Sequence, residues 1–68
     1  MNNQDPLYFV SFCIEAYKMR HNISGAEAID MFDNLGVTDY LLTHYNVLHT
    51  QSEQWIVNDI EDYINSRK

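Results

Sequence analysis

The chain has 68 residues, one cysteine and a formal net charge of −6, from ten Asp and Glu against four Lys and Arg. That length makes one domain, and a single cysteine excludes an intramolecular disulfide and any cysteine-rich metal framework. The charge repels nucleic-acid phosphates and anionic lipid alike, so neither is an expected partner and a basic protein surface fits better.

Asp5-Pro6 opens the first predicted helix. Asp suits the N-cap, and Pro suits the first turn because its missing N–H would find no helical partner there. The helix is expected to run to about Arg20 or His21, where Lys18, Arg20 and His21 complement the helix dipole. At about 100° per residue, its apolar positions from Leu7 to Met19 cover roughly two thirds of the circumference. Only Ser11, Glu15 and Lys18 form a polar strip. Such a helix is either the centre of the domain or half of a dimer interface. In the second case some of Phe9, Phe12, Ala16 and Met19 face another copy, with Phe12 and Met19 foremost because they border the polar strip.

Ser24-Gly25-Ala26-Glu27 reads as a capping box, in which each side chain satisfies an orphan backbone N–H of the other residue. Helix two then runs to about Asn34, with Gly36 placed for a left-handed C-terminal cap. Ala28, Ile29, Met31, Phe32 and Leu35 share one face, and Glu27, Asp30, Asp33 and Asn34 the other. Thr38 is the next N-cap, before a short third helix over Asp39–Tyr45. Residues 46–51 either prolong that helix or form a connector carrying Val47 and Leu48 into the core. Ser52 caps a fourth helix, about Glu53 to Asn65, whose apolar stripe is Ile56, Val57, Ile60, Tyr63 and Ile64. Trp55 projects about 80° from the edge of that stripe. The expected fold is all-α, a compact bundle of four short helices with helix one central. It forms one domain over 1–68, ordered over about 6–65, with a few loose residues at each end.

Three stretches together carry a resemblance. They are His21-Asn22-Ile23-Ser24-Gly25-Ala26-Glu27 through Phe32, Gly36-Val37-Thr38-Asp39-Tyr40-Leu41 through Val47-Leu48-His49-Thr50, and Ile56-Val57-Asn58-Asp59-Ile60 through Tyr63-Ile64. The chain resembles a family of short all-helical bacterial proteins catalogued as a domain of unknown function. The resemblance spans about Cys13 to Ile64, with Val47-Leu48-His49-Thr50 its most specific part. It implies a stand-alone cytoplasmic protein, often encoded near ADP-ribosyltransferase-like proteins, and hence an antitoxin-like or accessory role. It supplies no catalytic residue.

The residues point the same way. Cys13 sits mid-helix among Phe9, Phe12, Ile14 and Tyr17, where a buried neutral thiol is expected rather than a nucleophile. His44 and His49 are five apart, so a continuous helix splays them by about 140° and holds no metal between them. His49 is expected to be a polar hinge bonded to the backbone near the start of helix four. Asp59, Glu61 and Asp62 are expected on the solvent side of that helix. No glycine-rich phosphate loop or lid is evident, so neither catalysis, cofactor nor metal is expected.

The opening run Met1–Asp5 lacks the basic start and apolar core of a signal peptide, and no apolar run approaches the ~20 residues of a membrane span. A cytoplasmic location without membrane attachment is expected. The function expected is protein–protein recognition, with Phe12, Met19, Trp55, His49, Asp30 and Asp33 as candidate contacts. One alternative is a structural homodimer without a catalytic role. Another is a helix-turn-helix-like DNA-binding regulator, built on helix two, Gly36 and helix three. The would-be recognition helix offers no Arg or Lys to phosphates or guanine edges.

Overall fold

The structure, a computed structural model, describes residues 5–67. The loose ends expected from the sequence, and the reading of Met1–Gln4, lie largely outside the described residues. Helix α1 spans Pro6–His21, α2 Gly25–Asn34, α3 Val37–Thr43, α4 Tyr45–Leu48 and α5 Glu53–Arg67. Four of these are the expected helices. The fifth, α4, is a single turn lying in the stretch that the sequence left open.

Local chemistry sets the boundaries. The Leu7 N–H donates to the Asp5 carboxylate at 2.9 Å, and Pro6 fills the first helical position. At the other end Asn22 takes the left-handed conformation (φ 54°), and the N–H of Ile23 reaches back to the Lys18 carbonyl. That closure satisfies a carbonyl the helix itself cannot. The capping box of α2 forms as expected: Glu27 N–H donates to Ser24 Oγ at 3.1 Å, and Ser24 N–H to Glu27 Oε1 at 3.0 Å. Ser52 caps α5, accepting from Trp55 N–H at 3.2 Å.

Helix α3 starts two residues earlier than Thr38 suggests. Gly36, at φ 74°, is its N-cap residue and the Tyr40 N–H bonds the Gly36 carbonyl. The left-handed turn that follows α2 thus also begins α3, leaving no room for Thr38 as a cap. Thr43 ends α3, and His44 (φ −106°, ψ 20°) separates it from α4. Within α4 only Leu48 is buried, while Val47 is 61% exposed. Adjacent helical residues point about 100° apart, so the turn cannot send both inward. The same reason corrects Ile29. It lies beyond the edge of the Ala28–Phe32 face of α2 and is left half exposed.

The core gathers Phe9, Val10, Cys13 and Tyr17 of α1 with Phe32, Val37, Leu41, Leu48, Ile56, Ile60 and Ile64. Helix α1 packs against α2, α3 and α5; α3 touches each of the other four. The radius of gyration is 11.1 Å, close to the ~11 Å of a well-packed domain of this length. The apolar groups left outside are therefore not a sign of loose packing.

Candidate interaction surface

Helix α1 has more apolar surface than its neighbours cover. Phe9, Val10, Cys13, Ala16 and Tyr17 form its buried face. Phe9 and Ala16 are thereby removed from the set of residues that could meet another molecule. Farther round the helix, Tyr8 is 60%, Phe12 38% and Met19 75% exposed. With Glu15, they fall within an arc of about 60° centred some 130° from the middle of the buried face. Spacings of four, three and four residues place them in one line along the helix. Phe12 and Met19 are thus brought together as expected. Tyr8, which is not among the candidate contacts named from the sequence, completes the line.

The surroundings of this stripe are electrically balanced. Lys18 donates to Glu15 at 3.0 Å, so the one carboxylate on the stripe has its own cation. A shallow hollow lies among Tyr8, Ser11, Phe12 and Glu15. Beside Met19 a groove runs between α1 and the start of α5, lined by Ala16, Arg20, Glu53, Gln54 and Val57.

The other candidates lie elsewhere. Trp55 is 46% exposed on α5, on the side away from Ile56, Ile60 and Ile64. Asp30 and Asp33 are exposed on α2, and neither forms an ion pair among the described residues. His49 is also exposed. Its ring stacks on Tyr45 at 4.5 Å, and its Nδ1 lies 2.7 Å from the Tyr45 carbonyl. A carbonyl only accepts, so Nδ1 carries the proton of that bond. His49 therefore bonds backbone as expected, but toward α4 and not toward the start of α5.

Two polar clasps had no local signal. Glu61 of α5 lies 3.0 Å from His21 Nε2 and 3.6 Å from Arg20 Nε, and Arg20 also donates to Asn58. Asp59 accepts from the Tyr40 hydroxyl at 2.7 Å. Asp59 and Glu61 are therefore half-buried tethers between helices rather than solvent-side carboxylates, and Asp62 alone of the three stays fully outside. Tyr40 stacks on Tyr63 at 4.3 Å, and the Arg67 guanidinium sits 4.7 Å above the Tyr63 ring.

These arrangements hold their protons. The hydrogen bond to Asp59, with burial, pushes Tyr40 up to about 12. Burial pushes the Cys13 thiol up to about 12 as well, which keeps it protonated and unreactive. Burial and the nearby Glu61 raise Tyr17 in the same sense. No cluster of three or more His, Cys, Asp or Glu suited to a metal forms among the described residues. No described helix is long and apolar enough to cross a membrane.

A family model described as "Protein of unknown function (DUF3791)" matches residues 8–67. No curated protein and no solved structure matches the chain.

Proposed function

The chain belongs to the DUF3791 family, and from that premise we propose that it is a small protein-interaction module of the cytoplasm whose contact surface is the outer face of α1. The observation that carries this reading is the line of Tyr8, Phe12 and Met19, exposed on a helix whose opposite face is fully packed. Leaving these groups in water forgoes on the order of 1 kcal/mol or more for each that could be buried. Aromatic side chains and Met are also enriched where proteins meet.

The antitoxin-like or accessory role implied by the family resemblance is one use of such a module. The charge of −6 favours a basic protein there, by steering its approach rather than by adding much affinity. It also disfavours the DNA-binding alternative. Helices α2 and α3, joined at Gly36, carry Glu27, Asp30, Asp33 and Asp39 and no Lys or Arg.

Photo-crosslinking in the native cell tests the reading. A benzophenone amino acid replaces Phe12, and the same probe at Ser66 serves as the control. A discrete protein adduct from position 12, absent from position 66, is the expected result. A probe that stays unreacted, or that labels many proteins equally without a discrete adduct, would remove the α1 face as a contact surface.

A further inference from the structure

We infer that the first occupant of the α1 outer face is a second copy of the same chain, paired antiparallel about a two-fold axis near the middle of the helix. The inference rests on the proposed contact surface and adds what covers it. Residues 8, 12, 15 and 19 repeat with the four-three-four spacing of a coiled-coil seam, whose knobs pack between those of a like helix. Among the exposed apolar residues of α1, Tyr8, Phe12 and Met19 lie on this line, while Leu7 projects elsewhere.

The helix dipoles decide the orientation. The acid at the start of α1 is Asp5, and the bases of its last turn are Lys18, Arg20 and His21. Lys18, Arg20 and His21 already face Glu15 and Glu61 of their own chain, so the gain of antiparallel pairing is that it opposes the two helix dipoles. Parallel pairing sets like beside like. The stripe itself presents no uncompensated charge, because Lys18 holds Glu15 within the same chain. Glu53, at the start of α5, lines the groove beside Met19 and borders the seam, while the other carboxylates of α2, α3 and α5 are carried on helices other than the paired one.

Register follows from symmetry. With the axis midway between positions 12 and 15, Tyr8 meets Met19 of the second copy, a ring-to-thioether contact that is favourable in itself. Phe12 packs beside the aliphatic part of Glu15 of the second copy, and the two Phe12 rings flank the axis. Phe12 is therefore the centre of the interface and counts twice. Two helices of about 24 Å paired along this line bury on the order of 1,000 Å² in total, the lower end of what specific complexes use. Affinity in the micromolar range is the matching expectation.

Sedimentation equilibrium of the full chain, from a few to several hundred micromolar, reads the association. A monomer–dimer equilibrium is expected, weakened by about 100-fold or more in Phe12→Glu. Circular dichroism and a urea melt at low concentration show that this variant keeps its fold; Met19→Glu is the second variant and acts in the same direction. Orientation is read by disulfide trapping. Cys13 is fully buried and holds its proton, so it stays silent while introduced thiols report. A mixture of Tyr8→Cys and Met19→Cys chains is expected to link readily. Tyr8→Cys alone is expected not to link, because antiparallel copies hold those positions about 16 Å apart along the axis.

A wild-type chain that stays monomeric throughout overturns the inference, as does a dimer untouched by both Glu variants. Efficient linking of Tyr8→Cys to itself overturns the orientation. The two readings fail separately. A monomer that crosslinks from position 12 to one different protein removes the second copy and leaves the contact surface. A monomer with no discrete adduct removes both.

Discussion

The inner face of α1 sets Phe9, Cys13 and Tyr17 in the core, whereas the outer face leaves Tyr8, Phe12 and Met19 in solvent. Both faces are apolar, and a sequence pattern scores them alike. What separates them is how much covering the rest of the chain supplies. Helices α2, α3 and α5 pack against one side of α1, and the short α3 and single-turn α4 leave little with which to reach the other. Apolar surface on a helix thus measures what needs a partner. Whether that partner is the same chain or another depends on the lengths of its neighbours.

The largest expected effect tests that contrast with one residue type. Phe9 is 6% and Phe12 38% exposed, three positions apart on the same helix. Phe9→Ala is expected to destabilise the monomer by about 4 kcal/mol, through lost burial and the cavity left behind. It also removes the edge-to-face contact with Tyr45, whose ring centroid lies 5.4 Å away. Phe12→Ala is expected to cost about 1 kcal/mol or less in the monomer. Urea melts below the association range measure both. Equal losses would mean that the outer face is covered by its own chain after all.

A smaller effect concerns the cover over the inner face. Ser24→Ala removes the capping bond that starts α2, at an expected cost of about 1 kcal/mol. The loss appears in the urea midpoint. Association measured where both proteins are folded should be unchanged, because no residue of α2 lines the hollow or the groove at the outer stripe. A cap mutation that altered dimerisation as strongly as Phe12→Glu would break the separation of the two faces.

Caps and periodicity made most of the fold legible. Asp5-Pro6, Ser24 with Glu27, and Ser52 are local signals, and α1, α2 and α5 each start where that cap puts them. The start of α3 was misread because Gly36 ends one turn and begins the next, a double use that a lone glycine does not announce. Phe12 and Met19 could be picked out by the excess width of the α1 apolar arc. Tyr8 could not, since a tyrosine serves equally in a core and on a surface. The Arg20–His21–Glu61 and Tyr40–Asp59 clasps join residues 19 to 41 positions apart. Only the packed helices bring them together, so no spacing rule finds them.

Another inner-face test should raise stability. The Tyr45 hydroxyl is buried with no hydrogen-bond partner among the described residues, while its ring packs on Phe9 and the core. An unsatisfied buried hydroxyl is costly, and phenylalanine keeps the ring without it. Tyr45→Phe is expected to stabilise by somewhat under 1 kcal/mol, read as a higher urea midpoint. A loss of stability would show that the hydroxyl has a partner on folding.

The smallest effect is confined to alkaline pH and distinguishes the faces by acidity. Cys13, on the inner face, is pushed by burial from 9.0 to about 12. A cysteine introduced at position 19, on the outer face, meets water and is expected to ionise normally. The folded chain therefore keeps the Cys13 proton over a range in which the unfolded chain releases it. Its contribution to stability is fully present below about pH 9 and declines as pH rises toward 12. Tyr40, raised from 10.0 to about 12 chiefly by its bond to Asp59, adds a decline of the same sign that starts higher. Urea midpoints at about pH 7.5 and pH 10 should therefore fall in the wild type. Cys13→Ala lowers stability at both pH values by the side-chain volume it removes, but should show a shallower fall between them. Met19→Cys should fall no more steeply than the wild type, and a disulfide reagent should label its new thiol far faster than Cys13. A Cys13→Ala variant with the full wild-type decline would place the alkaline sensitivity elsewhere. Labelling of Cys13 as fast as the thiol at position 19 would show that the inner face opens to solvent as readily as the outer one.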